Sequence, residues 1–169
     1  MTTLFCYYIP LHEAYSRYGS TRVICCFCIL ASQPDLLAAT TCLENHDVYR
    51  ALVELECVSR FAFQQHHWLG DLAPALLAAR QRLALTRAKR CAQVRERAEA
   101  RIPPHLRYTA GWPTVRPTHT EAMLLAEVRR TVADISEIPI DYCDADAIVA
   151  RYDELMRKQE RIDNLRQLA

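Results

Sequence analysis

The chain has 169 residues, of which 51% are apolar and 24% charged, and its formal net charge is +1. This size suits one domain or a domain with an appendage. The balance excludes a disordered or membrane-embedded chain, and global charge does not call for nucleic acid. Only three glycines occur, at 19, 70 and 111, which favours helices and leaves no room for a glycine-rich phosphate loop.

No stretch reaches the roughly 18 apolar residues of a transmembrane helix. The opening MTTLFCYYIPLHEAY has neither a basic n-region nor a small-residue cleavage site, so no secretory signal is read and a cytoplasmic, membrane-free protein is expected. The eight cysteines are accordingly read as reduced thiols, with or without a metal.

In chain order, the first feature is the apolar run Arg22 to Ala31, which fits a short buried strand or the start of a buried helix. Ser32-Gln-Pro-Asp35 then reads as a helix start, with a serine N-cap, a proline in the first turn and an acidic residue behind it. A second helix should begin near Asn45 or His46, with Val48, Leu52, Leu55 and Val58 as its apolar stripe. A long helix is expected from about Asp71 to about Arg101. Its first half is apolar over a wide arc (Leu72, Leu76, Leu77, Ala79, Leu83), and its second keeps only the small residues Ala84, Ala88, Cys91 and Ala98. The arc that carried leucines then carries Arg87, Arg90, Arg97 and Arg101. Four prolines and a glycine mark 102–117 as a linker. Thr118-His-Thr-Glu121 forms a capping box for a helix striped by Leu125, Val128, Val132 and Ile135. Asp144 or Asp146 caps a last helix with Ile148, Tyr152, Leu155 and Ile162 on one face. The reading is a mostly α protein with at most one or two short strands, divided into 1–101, a proline-rich linker 102–117, and a helical tail 118–169.

Several residues could carry chemistry. Cys25-x-x-Cys28 has the pair spacing of zinc and iron–sulfur sites. A complete site needs two further ligands, and Cys6, His12, Cys42 and Cys57 are the available donors at irregular spacing. The competing reading makes these cysteines small buried hydrophobes. A redox dithiol fits less well, because Ile24, Phe27, Ile29 and Leu30 suggest burial, which raises a thiol pKa. His12 and Arg22, with Tyr15 and Arg17, could line an anion pocket, since guanidinium groups bind phosphate or sulfate bidentately. They could equally be a surface histidine and salt-bridging arginines. His66 and His67 are adjacent and point apart, so they do not share a metal. Glu44, Glu54 and Glu56 show no spacing of an acid/base pair. From Arg80 to Arg101 there are eight basic and two acidic residues, a stripe that reads as a nucleic-acid contact or a solvated helix face.

The stretch His12-Glu-Ala-Tyr15, Tyr18-Gly-Ser-Thr-Arg22-Val-Ile-Cys25-Cys-Phe-Cys28-Ile-Leu-Ala-Ser32, Asp35-Leu36 resembles phosphoadenosine phosphosulfate reductase-like proteins, in which a histidine, a tyrosine, a Gly-x-x-Arg and a Cys-x-x-Cys-Ile segment follow one another. The resemblance covers about Ile9 to Phe63, including Val48-Tyr-Arg-Ala-Leu-Val-Glu-Leu-Glu56, and continues more loosely through His105-Leu-Arg-Tyr and Gly111-Trp-Pro. It implies the helical C-terminal part of an α/β nucleotide-binding fold in the adenine-nucleotide α-hydrolase-like superfamily. Arg22 and His12 would meet the anionic end of an adenine sulfonucleotide, and Cys25 and Cys28 would hold an iron–sulfur cluster or zinc. The chain has no Ser-Gly-Gly-x-Asp-Ser loop, and Glu56-Cys57-Val58 lacks the glycine of the family's Glu-Cys-Gly motif. The resemblance therefore implies a chain inactive alone, completed by a separate N-terminal half or by a homo-oligomer. The alternative is a non-catalytic helical module, metal-stabilised or not, that binds a protein or nucleic-acid partner.

Overall fold

The computed structural model describes residues 12–22 and 25–167. Expectations placed on Cys6, on Ile24 and on the start of the resemblance at Ile9 lie outside these residues. Helix dominates: α1 (Glu13–Ser16), α2 (Gln33–Thr40), α3 (His46–Ser59), α4 (Ala79–Ala100), α5 (His119–Ser136) and α6 (Ala145–Gln167), with single 3-10 turns at Leu43–Asn45, Leu69–Asp71, Pro74–Leu76 and Pro104–Leu106. No strand occurs among the described residues, where one isolated antiparallel bridge joins Gln64 and His67. None of the described helices is long and apolar enough to cross a membrane.

The chain divides into two compact units between Lys89 and Arg90, within α4. The sequence reading placed its divide at 102–117. That segment instead contributes to the core of the second unit: Leu106 is buried, and Ile102 and Trp112 pack against the same cluster. Prolines end a helix, but nothing in them prevents the following chain from burying its apolar side chains.

In the first unit the core gathers Phe27, Ala31, Leu36, Tyr49, Val53, Leu69, Leu77 and Leu85. The apolar run after Arg22 is neither strand nor helix where it is described. Residues 25–31 form successive turns, closed by the Ala31 amide on the Cys28 carbonyl at 2.9 Å. Only Phe27 and Ala31 go inside, while Ile29 and Leu30 stand 63% and 76% exposed. Side-chain amides replace a sheet ladder here. Gln64 Nε2 donates to the carbonyls of Ile29 and Ala31, both at 2.8 Å, and Gln33 Nε2 donates to Gln64 Oε1 at 2.6 Å.

The start of α2 is as expected: Ser32 Oγ accepts from the Asp35 amide, and proline occupies the first turn. α3 begins at the expected residue but buries a different face. Tyr49, Val53 and Glu56 are inside, whereas Val48, Leu55 and Val58 are 45%, 62% and 76% exposed. Polar anchoring chose the face. The Tyr49 hydroxyl donates to the Leu69 carbonyl and accepts from the Ala73 amide, both at 3.1 Å. Glu56 Oε1 accepts from the Phe63 and Leu69 amides at 2.7 Å, and Oε2 from the Gly70 amide at 3.1 Å. Those three amides have no ladder partner, and a carboxylate is the acceptor that can take all of them. Burial pushes the Glu56 carboxyl above its usual pKa, and the three N–H donors pull it back. Gly70 is needed for space: a Cβ there would meet Leu85 Cδ2 at 2.6 Å.

The long helix starts at Ala79, eight residues later than about Asp71. Pro74 cannot continue a ladder, so 69–76 is spent in two 3-10 turns. Leu77 is buried and Leu83 is 54% exposed. The narrow stripe of small residues is present, with Ala88 and Ala98 buried and joined by Ala92.

In the second unit α5 and α6 pack together over Leu106, Ala122, Leu125, Ala126, Ile148 and Tyr152. The Thr118/Glu121 capping box is fully formed, and Asp144 Oδ1 caps α6 through the Ala147 amide at 2.8 Å. Trp112 meets Tyr152 edge-on, with ring centroids 5.0 Å apart, a favoured aromatic arrangement. With glycine so scarce, α3 and α5 end on Arg60 and Glu137 in the left-handed conformation.

Two outcomes follow. Glu56→Ala strands three amides at once, and should lower stability by about 3 kcal/mol or more in urea unfolding. Thr118→Ala removes one exposed cap and should cost about 1 kcal/mol in the same experiment.

Candidate functional site

Residues 17–22, directly after α1, are largely polar and belong to no helix or strand, so their shape comes from side chains. His12 caps α1, its Nδ1 accepting from the Ala14 amide at 3.1 Å. In the neutral ring the proton is therefore on Nε2. Gly19 takes φ +70, the left-handed conformation that lets the chain reverse after Tyr18. The Ser20 amide returns to the Ala14 carbonyl at 2.8 Å.

Asp35 then collects the loop. Its Oδ1 accepts from the Thr21 amide at 2.6 Å and from the Ser20 and Thr21 hydroxyls at 3.1 Å. Its Oδ2 accepts from Ser32 Oγ at 2.6 Å and from Thr21 Oγ1 at 2.9 Å. The Ser32 hydroxyl first, and then the Thr21 amide, hold the Asp35 carboxyl far below the usual carboxylate range. Arg22 Nε lies 3.9 Å from Oδ2, and its Nη2 donates to the Leu30 carbonyl at 2.5 Å. The guanidinium is thus tied at two points while half of its side chain faces solvent.

These elements enclose a pocket of about 240 Å³. His12, Arg22 and Cys25 all line it, together with Tyr18, Cys26 and Cys42. Tyr18 hydrogen-bonds Cys42, and that contact leads the causes that raise its pKa. Three carboxylates also border the pocket: Glu13, Asp35 and Glu44. Asp35 is offset by Arg22, and Glu13 by Arg17 at 3.7 Å. Glu44 has no ion pair among the described residues. Among the described residues the only guanidinium lining the pocket is that of Arg22, so any anion affinity is concentrated there.

The two cysteines expected as metal ligands divide between different surroundings. Cys25 is exposed at the pocket. Cys28 packs against the core cluster, and its Sγ accepts from the Leu30 amide at 3.4 Å. Among the described residues no three histidine, cysteine, aspartate or glutamate side chains come together as a metal ion would require. The donors among the described residues, without Cys6, do not make up the roughly four ligands that zinc or an iron–sulfur cluster needs. All seven cysteines among the described residues are unpaired. Cys57 is packed against the core and burial raises its thiol pKa, the reverse of what a nucleophile needs. Tyr15 and Arg17, also read as candidate anion contacts, are outside the pocket lining. His66 and His67 are exposed in their turn.

Sequence reasoning used Asp35 as a helix-start residue and as part of the resembling stretch, and missed it as the loop's anchor. Ser20, Thr21 and Ser32 around one aspartate were the available signal, since hydroxyls gather on a buried carboxylate. Cys42, named in the sequence reading as one of four spare metal donors, lines the pocket and pairs with Tyr18. No family model, curated protein or solved structure matches this chain.

Asp35 gives a pH signature. Its folded-state pKa is depressed, so its contribution is fully present above the unfolded value of about 4 and is lost as pH falls below it. The acid side of the wild-type stability profile should therefore slope downward below pH ~4. Asp35→Asn should be less stable at neutral pH and show a flatter acid limb, read by urea unfolding from pH 7 to pH 3.

Proposed function

We propose that this chain is the C-terminal portion of a phosphoadenosine phosphosulfate reductase-like protein, and that its pocket receives the anionic end of an adenine sulfonucleotide. The observation that carries this reading is that His12, Arg22 and Cys25, picked from one resembling stretch of sequence, line a single pocket. Arg22 is held by Leu30 and Asp35 in a fixed orientation, so less freedom is lost when its remaining donors meet a sulfate or phosphate oxygen. The Nε2 proton of His12 supplies a second donor. Tyr18 and Cys42 also belong to the lining.

At about 240 Å³ the pocket is smaller than the roughly 300–1,000 Å³ of sites that enclose a whole small ligand. That agrees with a partial site whose adenosine-binding wall and Ser-Gly-Gly-x-Asp-Ser loop come from a separate polypeptide. The role assigned to these residues is to bind and orient. No reduction step is assigned, because Glu56-Cys57-Val58 lacks the glycine of the family's nucleophile motif and Cys57 is half-buried against the core, where burial raises its pKa.

The test is titration calorimetry with adenosine 5′-phosphosulfate. The chain alone should give no heat at micromolar concentration. Co-expressed with a polypeptide carrying the Ser-Gly-Gly-x-Asp-Ser loop from the adjacent upstream reading frame, it should bind. Arg22→Gln should then weaken binding about ten- to a hundred-fold, the worth of one charged hydrogen bond at roughly 1.5–3 kcal/mol. Micromolar binding by the lone chain, an upstream frame without such a loop, or full binding by Arg22→Gln would each overturn the reading.

A further inference from the structure

The outer face of α4 poses a separate electrostatic question. At about 100° per residue, Leu83, Arg87, Arg90, Val94, Arg97 and Arg101 fall within an arc of roughly 80°. Arg101 is neutralised by Glu127, with Nη1 to Oε1 at 2.7 Å and Nη2 to Oε2 at 2.9 Å. Other cations near or on the helix are matched too: Arg80 with Glu54, Lys89 with Asp71, and Arg95 with Glu96 and Glu99. Arg87, Arg90 and Arg97 are exposed and have neither an acid nor a carbonyl partner among the described residues. Like charges three or four residues apart destabilise a helix by a few tenths of a kcal/mol. Helix stability therefore gives no reason for Arg87 and Arg90 to stand together unrelieved.

We infer that this face of α4 docks on the phosphate backbone of double-stranded DNA. The three guanidiniums extend over about 15 Å of helix axis at 1.5 Å per residue. Each presents a planar fork suited to two oxygens of a phosphate. The face has no aromatic residue, and single-stranded nucleic acid is held largely by bases stacked on aromatic rings. Its remaining members, Leu83 and Val94, have no hydrogen-bonding group with which to read a base edge. The contact is therefore with duplex backbone and independent of sequence. It does not rest on the pocket reading.

The experiment is fluorescence anisotropy of a labelled 20-base-pair duplex of mixed sequence with the full chain, between 50 and 200 mM salt. Three phosphate contacts give a slope of log K against log salt near −2.7, which is about a 40-fold loss of affinity across that range. Arg87→Gln, Arg90→Gln and Arg97→Gln should each reduce the slope by about 0.9, and a second duplex of unrelated sequence should bind equally. Arg22→Gln should leave DNA binding unchanged, which separates this result from the fate of the pocket. Glutamine is a good helix former and the positions are exposed, so circular dichroism should show the variants folded. Undiminished binding by the triple variant overturns the proposal. So does polyglutamate of matched charge binding as tightly as the duplex, which would mark an acidic-protein surface. Single-stranded DNA binding more tightly than duplex overturns it as well.

Discussion

The candidate site depends on one carboxylate. Asp35 is almost fully buried at the first turn of α2, and it accepts from an amide and three hydroxyls of residues 20, 21 and 32. Without it, the stretch after Gly19 would have no regular hydrogen-bond pattern to adopt. With it, Arg22 is brought to the pocket and its guanidinium reaches Leu30 on the following turn. The same residue that shapes the loop also offsets the charge of Arg22, so the pocket holds one fixed cation within a lining that carries three carboxylates.

Glu56 repeats the device deeper in the same unit. A helix-borne carboxylate again gathers amides from a loop, here those of Phe63, Leu69 and Gly70. The consequence is larger, because the choice of Glu56 and Tyr49 as inward residues turns the aliphatic side chains Val48, Leu55 and Val58 outward. In both places a short polar anchor does what a sheet ladder does elsewhere. That is how a unit with no strand among its described residues can order its long connections.

The second unit is assembled differently. Its order comes from local capping at Thr118 and Asp144, and from the aromatic and aliphatic contact of α5 with α6 around Trp112 and Tyr152. The proline-rich stretch belongs to this contact. The two proposed activities fall on different features: a loop-built pocket in the first unit, and a helix face whose unpaired arginines follow from simple periodicity. The first requires tertiary anchoring, and the second requires only that α4 be a helix.

By itself, the sequence determined the helical class, the N-cap at Ser32, the start of α3, the capping box at Thr118 and the small-residue stripe of α4. Those are local properties, set by hydrogen bonds and steric limits within a few residues. It also nominated His12, Arg22 and Cys25, which do share a pocket. Tertiary structure decided which face of α3 is buried, that Ile29 and Leu30 stay in solvent, and that Cys28 packs against the core while Cys25 lines the pocket. It also decided that Ile102, Leu106 and Trp112 of the proline-rich stretch join the core of the second unit, and that Asp35 and Cys42 line the pocket. The α3 face and the place of Asp35 depend on which distant amide or hydroxyl finds a buried acceptor, and the rest on long-range apolar packing. Hydrophobic periodicity records how many apolar residues a segment carries, but it does not show where a buried carboxylate will bind the next loop.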